Sequence, residues 1–441
     1  MSTQVRDAIA TKRRSPSPTA ATTRSRLFPL LVFILTFGLL LSDYMSRQVL
    51  SAVFPLLKVE WSLTDTQLGS LTSIVALTVG LLAVPLSLLG DRWGRSKAII
   101  SMGALWSLAT LGCAIAANYQ HMMLARFFIG LGEAAYGSVG LAVVLMVFAP
   151  TKRASLTGAF MAGGSFGSVL GVFFGGILAV QLGWRWSFAV MAIIGLVLVV
   201  LYWLFVNDRK LLRNQHPGNI PAEPIAATPK RAKLRTLVST PAVICAYVGS
   251  GLQLFVAGAL FAWMPSYLGR AYHLAPNKAA IGAAGFILLM GAGMIICGAV
   301  TDRLSRRVPI RKWTTAIVYT TASLVFLGIG FSLPHGGVQL LLLAIGVFFA
   351  AGTAGPAGAM VSNLTHESIR ATAMGTLSLA NNLLGLAAGS LITGILADQF
   401  GLVGAMKIVP IVAVGALIAL LIGRKYYVTS LAKVNAAVAT R

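Results

Sequence analysis

The sequence is poor in charged residues. Asp, Glu, Lys and Arg make up only 10% of its 441 residues, while 57% are hydrophobic, and the mean hydropathy is +0.83. A soluble domain carries about 25% charged residues, so this chain lacks the polar side chains needed to cover a surface in water. The composition excludes an ordinary soluble protein and indicates one whose solvent is lipid.

Acidic residues are scarcer still. The chain has 11 Asp and Glu against 35 Lys and Arg, which gives a net charge of +24. In a soluble protein this balance would indicate nucleic-acid binding, but here the basic residues collect in the tails and in alternate loops between apolar segments. Under the positive-inside rule these loops and both termini are cytoplasmic, which predicts a multi-pass protein of the inner (cytoplasmic) membrane and no nucleic-acid partner.

Cysteine and the common catalytic motifs are also scarce. The three cysteines, Cys113, Cys245 and Cys297, each lie in an apolar stretch, which favours buried thiols over a disulfide or metal site. We find no Walker loop, zinc-ligand spacing, Gly-x-Ser-x-Gly or acidic metal pair, and no histidine deep in a segment. The sequence therefore predicts neither an enzyme nor a protein with a cofactor or metal.

What the chain has in abundance is long apolar runs. A membrane-spanning helix needs about 20 apolar residues. Twelve runs meet this length, and they cover approximately 28–56, 66–89, 98–117, 120–148, 153–181, 186–206, 240–268, 277–300, 313–333, 338–362, 371–397 and 402–423. We predict an all-α membrane protein with twelve transmembrane helices.

One long hydrophilic break divides these runs into two sets of six. Its proline and charge content is typical of a linker, with room for a short surface helix. The predicted organisation is a cytoplasmic tail, a six-helix bundle, a cytoplasmic linker, a second six-helix bundle and a second tail, at 1–26, 27–206, 207–237, 238–425 and 426–441.

A short charged motif recurs at the same place in both halves. The loop after the second segment reads Gly90-Asp91-Arg92-Trp93-Gly94-Arg95, and the loop after the eighth contains Asp302-Arg303-Leu304-Ser305-Arg306. Inner loops are basic in any membrane protein, but that does not explain an acid and a small residue at fixed positions. The recurrence indicates two pseudo-symmetric halves.

These loops resemble the signature Gly-x-x-x-Asp-Arg-x-Gly-Arg-Arg/Lys of the major facilitator superfamily. The resemblance to that family, including the number and grouping of the apolar segments, covers nearly the whole chain. The C-terminal copy has Gly298 four residues before its acid, whereas the N-terminal copy departs with Ser87. The fourth segment adds Arg126, Gly130 and Gly132 in the family's Arg-x-x-x-Gly-x-Gly pattern. The resemblance implies alternating access, with a conformational latch formed by Asp91, Arg92, Gly94, Arg95, Asp302, Arg303 and Arg306.

Two branches of the family share further residues with this chain. Arg47 in the first segment and Gly132-Glu133-Ala134-Ala135-Tyr136 in the fourth look like the spinster-type branch, which exports lysolipids and sphingoid lipids with proton coupling. The same residues resemble bacterial organic-anion symporters. The chain departs from the spinster pattern at Ser46, where that branch has an acid, and Asp43 one turn earlier is a possible substitute.

Two acids lie deep in apolar segments, and they are the strongest functional candidates. An ionised carboxylate there costs a few kcal/mol unless it is paired or faces water. Asp43 has Arg47 one turn later on the same face, so the two can pair, and Glu133 joins them if the first and fourth helices line one cavity. We expect Glu133 to carry the proton and Arg47 to bind an anionic cargo group. The alternative is a static buried ion pair.

Other polar residues in the segments are open to either a structural or a functional role. Arg126 could snorkel to the outer side or steady the cluster. Residues from the second half that could contact the cavity, or simply bond between helices, are Gln253, Trp263, Tyr267, Asn381 and Asn382.

The expected function is secondary active transport of a small organic solute, either an organic anion or an amphipathic metabolite such as a lysolipid. We expect protons as the coupling ion, contact with membrane lipid, and a monomer. The alternatives are a proton-driven exporter of drugs or metabolites, which the absence of a Gly-Pro pair in the fifth segment disfavours, and a non-transporting membrane scaffold. A scaffold needs neither paired latches nor mid-membrane carboxylates.

Overall fold

The computed structural model describes residues 27–219, 237, 240–366 and 369–439. Within these ranges all regular structure is helical, and no strand occurs. Eleven helices there are long and apolar enough to cross a membrane, and the last of them, Thr372–Lys433, has 62 residues. Gly401 bends this last helix with a φ of +71°, so it makes two crossings. The predicted all-α fold with twelve transmembrane helices is confirmed.

We number the crossings α1 to α12. Their bounds are α1 Leu27–Glu60, α2 Asp65–Trp93, α3 Arg95–Ala114, α4 Tyr119–Glu133 with Tyr136–Val147, α5 Arg153–Gln181, α6 Trp184–Phe205, α7 Pro241–Tyr272, α8 Pro276–Ser305, α9 Arg311–Ser332, and α10 Gly337–Ala350 with Ala354–Asn363. α11 consists of Arg370–Ala380, the π-helical Asn381–Ala387 and the part of Ala388–Ile408 before Gly401, and α12 of the rest of that helix, Val409–Ile411 and Val412–Ala439.

Glycines along α5 bring it against the backbone of α1. A β-carbon at Gly167 would lie 2.7 Å from the carbonyl oxygen of Leu41, and one at Gly171 would lie 2.7 Å from that of Met45. Helices in lipid associate through such close backbone packing, because the hydrophobic effect gives no drive between them. This contact fixes the rotation of α1 and therefore the direction of its polar face.

Two helices that the sequence predicts as continuous are interrupted. α4 breaks after Glu133 and α10 breaks after Ala350, so the fourth helix of each set of six is divided at a similar level. At the α10 break, the side chain of Gln253 donates to the carbonyl oxygen of Ala350 at 3.0 Å. Non-helical backbone at membrane depth is tolerated only inside protein or at a cavity wall. Glu133 and Ala134, at the α4 break, line the cavity described below.

The start of the linker packs on the first six helices. It contains the predicted short helix, Asp208–Arg213. The carboxylate of Asp208 accepts a hydrogen bond of 2.9 Å from the backbone N–H of Ser96, at the beginning of α3. Asn219 donates to the carbonyl oxygen of Phe148, just past the end of α4, at 2.8 Å. We call this side of the molecule the linker face. The opposite face is the side on which α1 ends and α2 begins.

Candidate functional site: a charged cavity closed at one face

A cavity of about 680 Å³ lies between the first six helices and the last six. Its walls come from α1, α2, α4 and α5 on one side and from α11 on the other. It reaches from Arg47 and Glu133, deep in the bundle, to Leu88 and Thr372, near the linker-face ends of α2 and α11. The cavity therefore opens toward the linker face.

At the opposite face a group of four charges joins the two sets of helices. Arg270 of α7 donates to both carboxylate oxygens of Asp65 at 2.7 and 2.6 Å, and Lys58 of α1 donates to the same carboxylate at 2.6 Å. Asp398 of α11 accepts from the backbone N–H groups of Asp65 and Thr66 at 2.7 and 2.9 Å. We call Lys58, Asp65, Arg270 and Asp398 the opposite-face latch.

Small residues close the space beneath the latch. A β-carbon at Gly69 of α2 would lie 2.5 Å from the carbonyl oxygen of Ser390 on α11, and Ser73 shares a hydrogen bond of 2.9 Å with the Ser390 hydroxyl. Between α1 and α7, the rings of Phe54 and Trp263 have centroids 5.2 Å apart. The two sets of helices are therefore packed together on this side and apart on the linker face.

The charged cluster sits at the inner end of the cavity. Arg47 donates from Nε and Nη2 to Oε2 of Glu133, at 3.0 and 2.5 Å. Both residues line the cavity, and the Arg47 side chain is the more exposed of the two, at 18% against 1% for Glu133. Arg47 is also the only cationic side chain in the described lining of the cavity.

Asp43 is the third member of the cluster. It lines the cavity, is buried, and interacts electrostatically with both Glu133 and Arg47. Among the described residues, Oδ1 of Asp43 and Oε1 of Glu133 have no hydrogen-bond partner. The structure thus brings the three predicted residues together. It corrects the expected Asp43–Arg47 pair, because Arg47 bonds to Glu133, the residue at which α4 breaks.

Arg126 is fully buried and bonded to backbone. Its guanidinium donates to the carbonyl oxygens of Leu71, Ser46 and Arg47, each at 3.2 Å. These bonds hold α4 against α1 and α2 at the peptide that carries Arg47. The sequence leaves two roles open for Arg126. Its buried side chain contacts main-chain carbonyls, so it does not snorkel to the outer surface.

Of the five uncharged candidates on α7 and α11, Asn382 lines the cavity. Gln253 and Trp263 are fully buried and donate to main-chain carbonyls, and Asn381 accepts from a serine hydroxyl of α7 at 2.8 Å. Tyr267 is fully buried and accepts from a glutamine amide of α10 at 3.0 Å. In this conformation these four side chains form hydrogen bonds between helices.

The two signature loops lie at the linker face. The side chains of Asp91 and Arg92 are outside the described residues. Gly94 has a φ of +98°, a conformation that glycine adopts readily, and Arg95 contacts Sδ of Met146 at 3.6 Å. The charged side chains of the second copy of the motif are exposed and form no ion pair within the described part of the chain; they are Asp302, Arg303 and Arg306.

Comparison with known proteins agrees with this architecture. Residues 36–334 match the model of the Major Facilitator Superfamily. The chain is 24% identical over 388 residues to the hexuronate transporter of Bacillus subtilis (strain 168), covering 85% of this chain and 88% of the relative. It is 28% identical over 244 residues to the human protein spinster homolog 1, covering 55% of this chain and 46% of the relative.

A solved structure shares the fold. The crystal structure of a bacterial homolog of the human lysosomal transporter Spinster, inward-facing and unoccupied, superposes with a TM-score of 0.76 at 19% identity and covers 92% of this chain and 98% of its own. The apolar helices, the one-sided cavity and the match to this family together define a multi-pass membrane transporter of small molecules. The chain belongs to the Major Facilitator Superfamily.

Proposed function

We propose that this protein is a proton-coupled transporter of an organic anion that works by alternating access. The observation that carries the proposal is the cluster at the closed end of the cavity, where two buried carboxylates, Asp43 and Glu133, face one guanidinium, Arg47. Fully ionised, the three groups have a net charge of −1. One bound proton makes the cluster neutral.

An anionic cargo is supported by the exposure and bonding of Arg47. A carboxylate or phosphate group can form the same charge-assisted hydrogen bonds with the guanidinium that Glu133 now forms. The Arg47 side chain meets the cavity, so a cargo arriving from the linker face can compete with Glu133 for it. The similarity to a hexuronate transporter supports the same class of cargo.

Coupling to protons follows from this competition. When the cargo anion takes Arg47, Glu133 is left as a buried carboxylate without its partner, which is strongly unfavourable. A proton from the cavity water that binds to Glu133 removes this cost, with Asp43 as the neighbouring carboxylate that can share it. Cargo and proton therefore favour each other's binding, as a symporter requires.

Alternating access requires a second state with the opposite face open. The cavity now opens to the linker face, and the opposite-face latch holds the other side shut. Transport then consists of opening this latch while the linker face closes, with the bundles 27–206 and 238–425 rocking about the cluster. Asp302 and Arg306 are exposed on the open side, which supports their assignment to the conformational latch of the signature loops, whose charges pair when the linker face closes.

The orientation in the membrane follows from the linker face. Its loops carry the basic residues Lys97, Lys152, Arg153 and Arg307, so we assign this face to the cytoplasm of the inner membrane, with both termini on that side. The present conformation is then inward-open. We propose that a single chain forms the complete transport unit, since one chain supplies the cavity, the cluster and the latch.

An anion with an apolar tail is a second candidate cargo. Leu88, Met161 and Met374 are exposed side chains of the cavity wall, and they could contact a lipid chain while Arg47 holds the headgroup. Cargo competition distinguishes the two classes. A lysolipid that competes while sugar acids do not would favour this second candidate.

Proteoliposomes with an imposed pH gradient test the proposal. We expect the parent protein to accumulate D-glucuronate or a lysophosphatidate when the side of uptake is acidic, and Glu133→Gln to lose the response to the gradient. Glu60→Gln is the matched control, because Glu60 pairs with Arg185 at the opposite face, away from the cavity. Gradient-dependent accumulation that persists in Glu133→Gln would exclude Glu133 as the proton carrier. Absence of any flux in the parent would favour a scaffold.

A further inference from the structure

The middle of α11 is not α-helical. Residues Asn381–Ala387 form a π-helical turn between two α-helical stretches. Such turns are rare and occur frequently at functional sites. Here α7 supports the wide turn, because a β-carbon at Gly251 would lie 3.0 Å from the carbonyl oxygen of Ala380 and one at Gly258 would lie 2.9 Å from Cα of Leu386.

The wide turn sets which side chains face the cavity. Ser378, Asn382 and Leu386, spaced four residues apart, all line it. In an α-helix each step of four residues advances about 40° beyond a full turn, so three such positions drift away from one face. A π turn holds more residues per turn and offsets this drift. The π segment begins at Asn381, so Asn382 stands at its start, and the wide turn brings Leu386 back to the wall that Ser378 and Asn382 share.

Asn382 lies where the two sets of helices meet. It is buried, and a β-carbon at Gly80 of α2 would lie 2.8 Å from its Cβ. Its Nδ2 donates to the carbonyl oxygen of Ser378 at 2.9 Å. An amide has two N–H donors and an acceptor oxygen, and within the described residues no hydrogen bond uses the rest of this capacity.

The charges of the cavity come from the other side. Asp43, Arg47 and Glu133 belong to α1 and α4, whereas the described residues of the α11 wall are all uncharged. A cargo held by its acid at Arg47 thus meets a neutral amide on the opposite wall. A cargo without a hydrogen-bonding group at this point would bury the amide unpaired, which costs binding free energy. The amide therefore favours cargoes that can hydrogen-bond to it.

We infer that Asn382, at the start of the π segment, is a specificity-determining residue that hydrogen-bonds an uncharged polar group, such as a hydroxyl, of the anion held by Arg47. The inference rests on the proposed function and adds to it a requirement on the cargo. The requirement is that the cargo carries an uncharged hydrogen-bonding group in addition to the acidic group that Arg47 holds.

Two six-carbon acids test this requirement. D-gluconate carries hydroxyl groups and hexanoate has none, so the ratio of their dissociation constants on the purified full-length protein measures the preference for hydroxyls. We expect the parent to prefer D-gluconate by about tenfold, the value of one good hydrogen bond. Asn382→Leu should bring the ratio close to one, and Asn382→Ser should give an intermediate ratio.

Ser250→Ala is the control for an indirect effect. Ser250 donates to Asn381 at 2.8 Å and lies outside the cavity lining, so its loss perturbs the π segment without removing the amide of Asn382. We expect the parental ratio in this variant. Equal weakening of both acids by Asn382→Leu, or an unchanged ratio in both Asn382 variants, would overturn the inference. Failure of the parent to bind either acid would overturn a small organic acid as the cargo, and this inference with it.

Discussion

Asp65 and Arg270 pair through two hydrogen bonds across the closed face, at 2.7 and 2.6 Å, and the two residues lie 205 positions apart in the chain. Asp65 begins α2 in the first set of helices and Arg270 is near the end of α7 in the second. The pair can exist only while the two sets are together on this side. Its breakage is therefore part of any movement that opens the opposite face.

Arg270→Ala should shift the protein toward the outward-open state. Asp65 keeps its ion pair with Lys58 and the Arg270 side chain is 32% exposed, so the loss of the charge-assisted bonds costs about 1.5 to 2 kcal/mol, and this cost falls on the closed state alone. A cysteine at Ser266, which is 1% exposed beside a pocket of about 200 Å³ at Arg270, reports the opening. We expect its labelling by an impermeant maleimide from the opposite face to rise at least several-fold.

Glu60→Ala provides the matched control for this labelling. It breaks the Glu60–Arg185 ion pair, which also lies at the opposite face but joins two helices of the first set. Labelling should stay at the parental level. Equal labelling of Arg270→Ala and Glu60→Ala would show that the latch does not hold the face closed. All variants carry Cys245→Ser, because Cys245 is the native thiol that is only half-buried.

Asp398→Asn should have a smaller effect in the same direction. Its carboxylate accepts from the backbone N–H groups of Asp65 and Thr66, at the start of α2, where a negative charge is stabilised by the helix dipole. The amide oxygen of Asn can still accept one such bond, so we expect a loss of about 1 kcal/mol. Labelling at Ser266→Cys should lie between those of the parent and Arg270→Ala. A larger increase than in Arg270→Ala contradicts this ranking.

Arg126→Lys should destabilise the protein despite keeping the charge. The guanidinium bonds to carbonyl oxygens of α1 and α2 in three directions, and a lysine ammonium on its thinner stem cannot reproduce this fork. We expect a loss of about 2 to 3 kcal/mol, seen as a lower midpoint of thermal unfolding in detergent. An unchanged midpoint would mean that Arg126 does not hold α4 on α1.

Gly171→Ala and Gly158→Ala should differ although both lie on α5. A β-carbon at Gly171 would be 2.7 Å from a backbone oxygen of α1, whereas one at Gly158 has no neighbour within 4 Å. We expect Gly171→Ala to lower the unfolding midpoint and Gly158→Ala to keep or slightly raise it, since alanine favours helix by about 0.5 to 1 kcal/mol over glycine. Equal midpoints would contradict the packing of α5 on α1.

Much of the fold could be predicted from the sequence, because each crossing carries its own hydropathy signal. The meeting of Asp43, Arg47 and Glu133 could also be predicted, since a charge at membrane depth needs a partner and few are available. The exact pairing could not. It depends on the break in α4 after Glu133, which hydropathy does not register.

The opposite-face latch and the π turn could not be predicted from the sequence. Asp65, Arg270 and Asp398 are among the few charges in loops of that face, and this scarcity was a usable signal. Asp65, however, is 205 positions from Arg270 and 333 positions from Asp398. These contacts depend on how the two sets of helices meet. The π turn depends on the close approach of α7 to α11, which the positions of Gly251 and Gly258 alone do not reveal.

The central claim is that a proton moves with an organic anion through the Arg47–Glu133 pair, and cargo-induced proton flux measures this directly. Proteoliposomes with a pH-sensitive dye in the lumen and no initial pH gradient receive external D-glucuronate, or whichever acid accumulates in the uptake assay. We expect the lumen to acidify as the parent takes up cargo and Glu133→Gln to show no acidification. Uptake by the parent without any change in lumenal pH, or acidification that persists in Glu133→Gln, would contradict proton coupling through this pair.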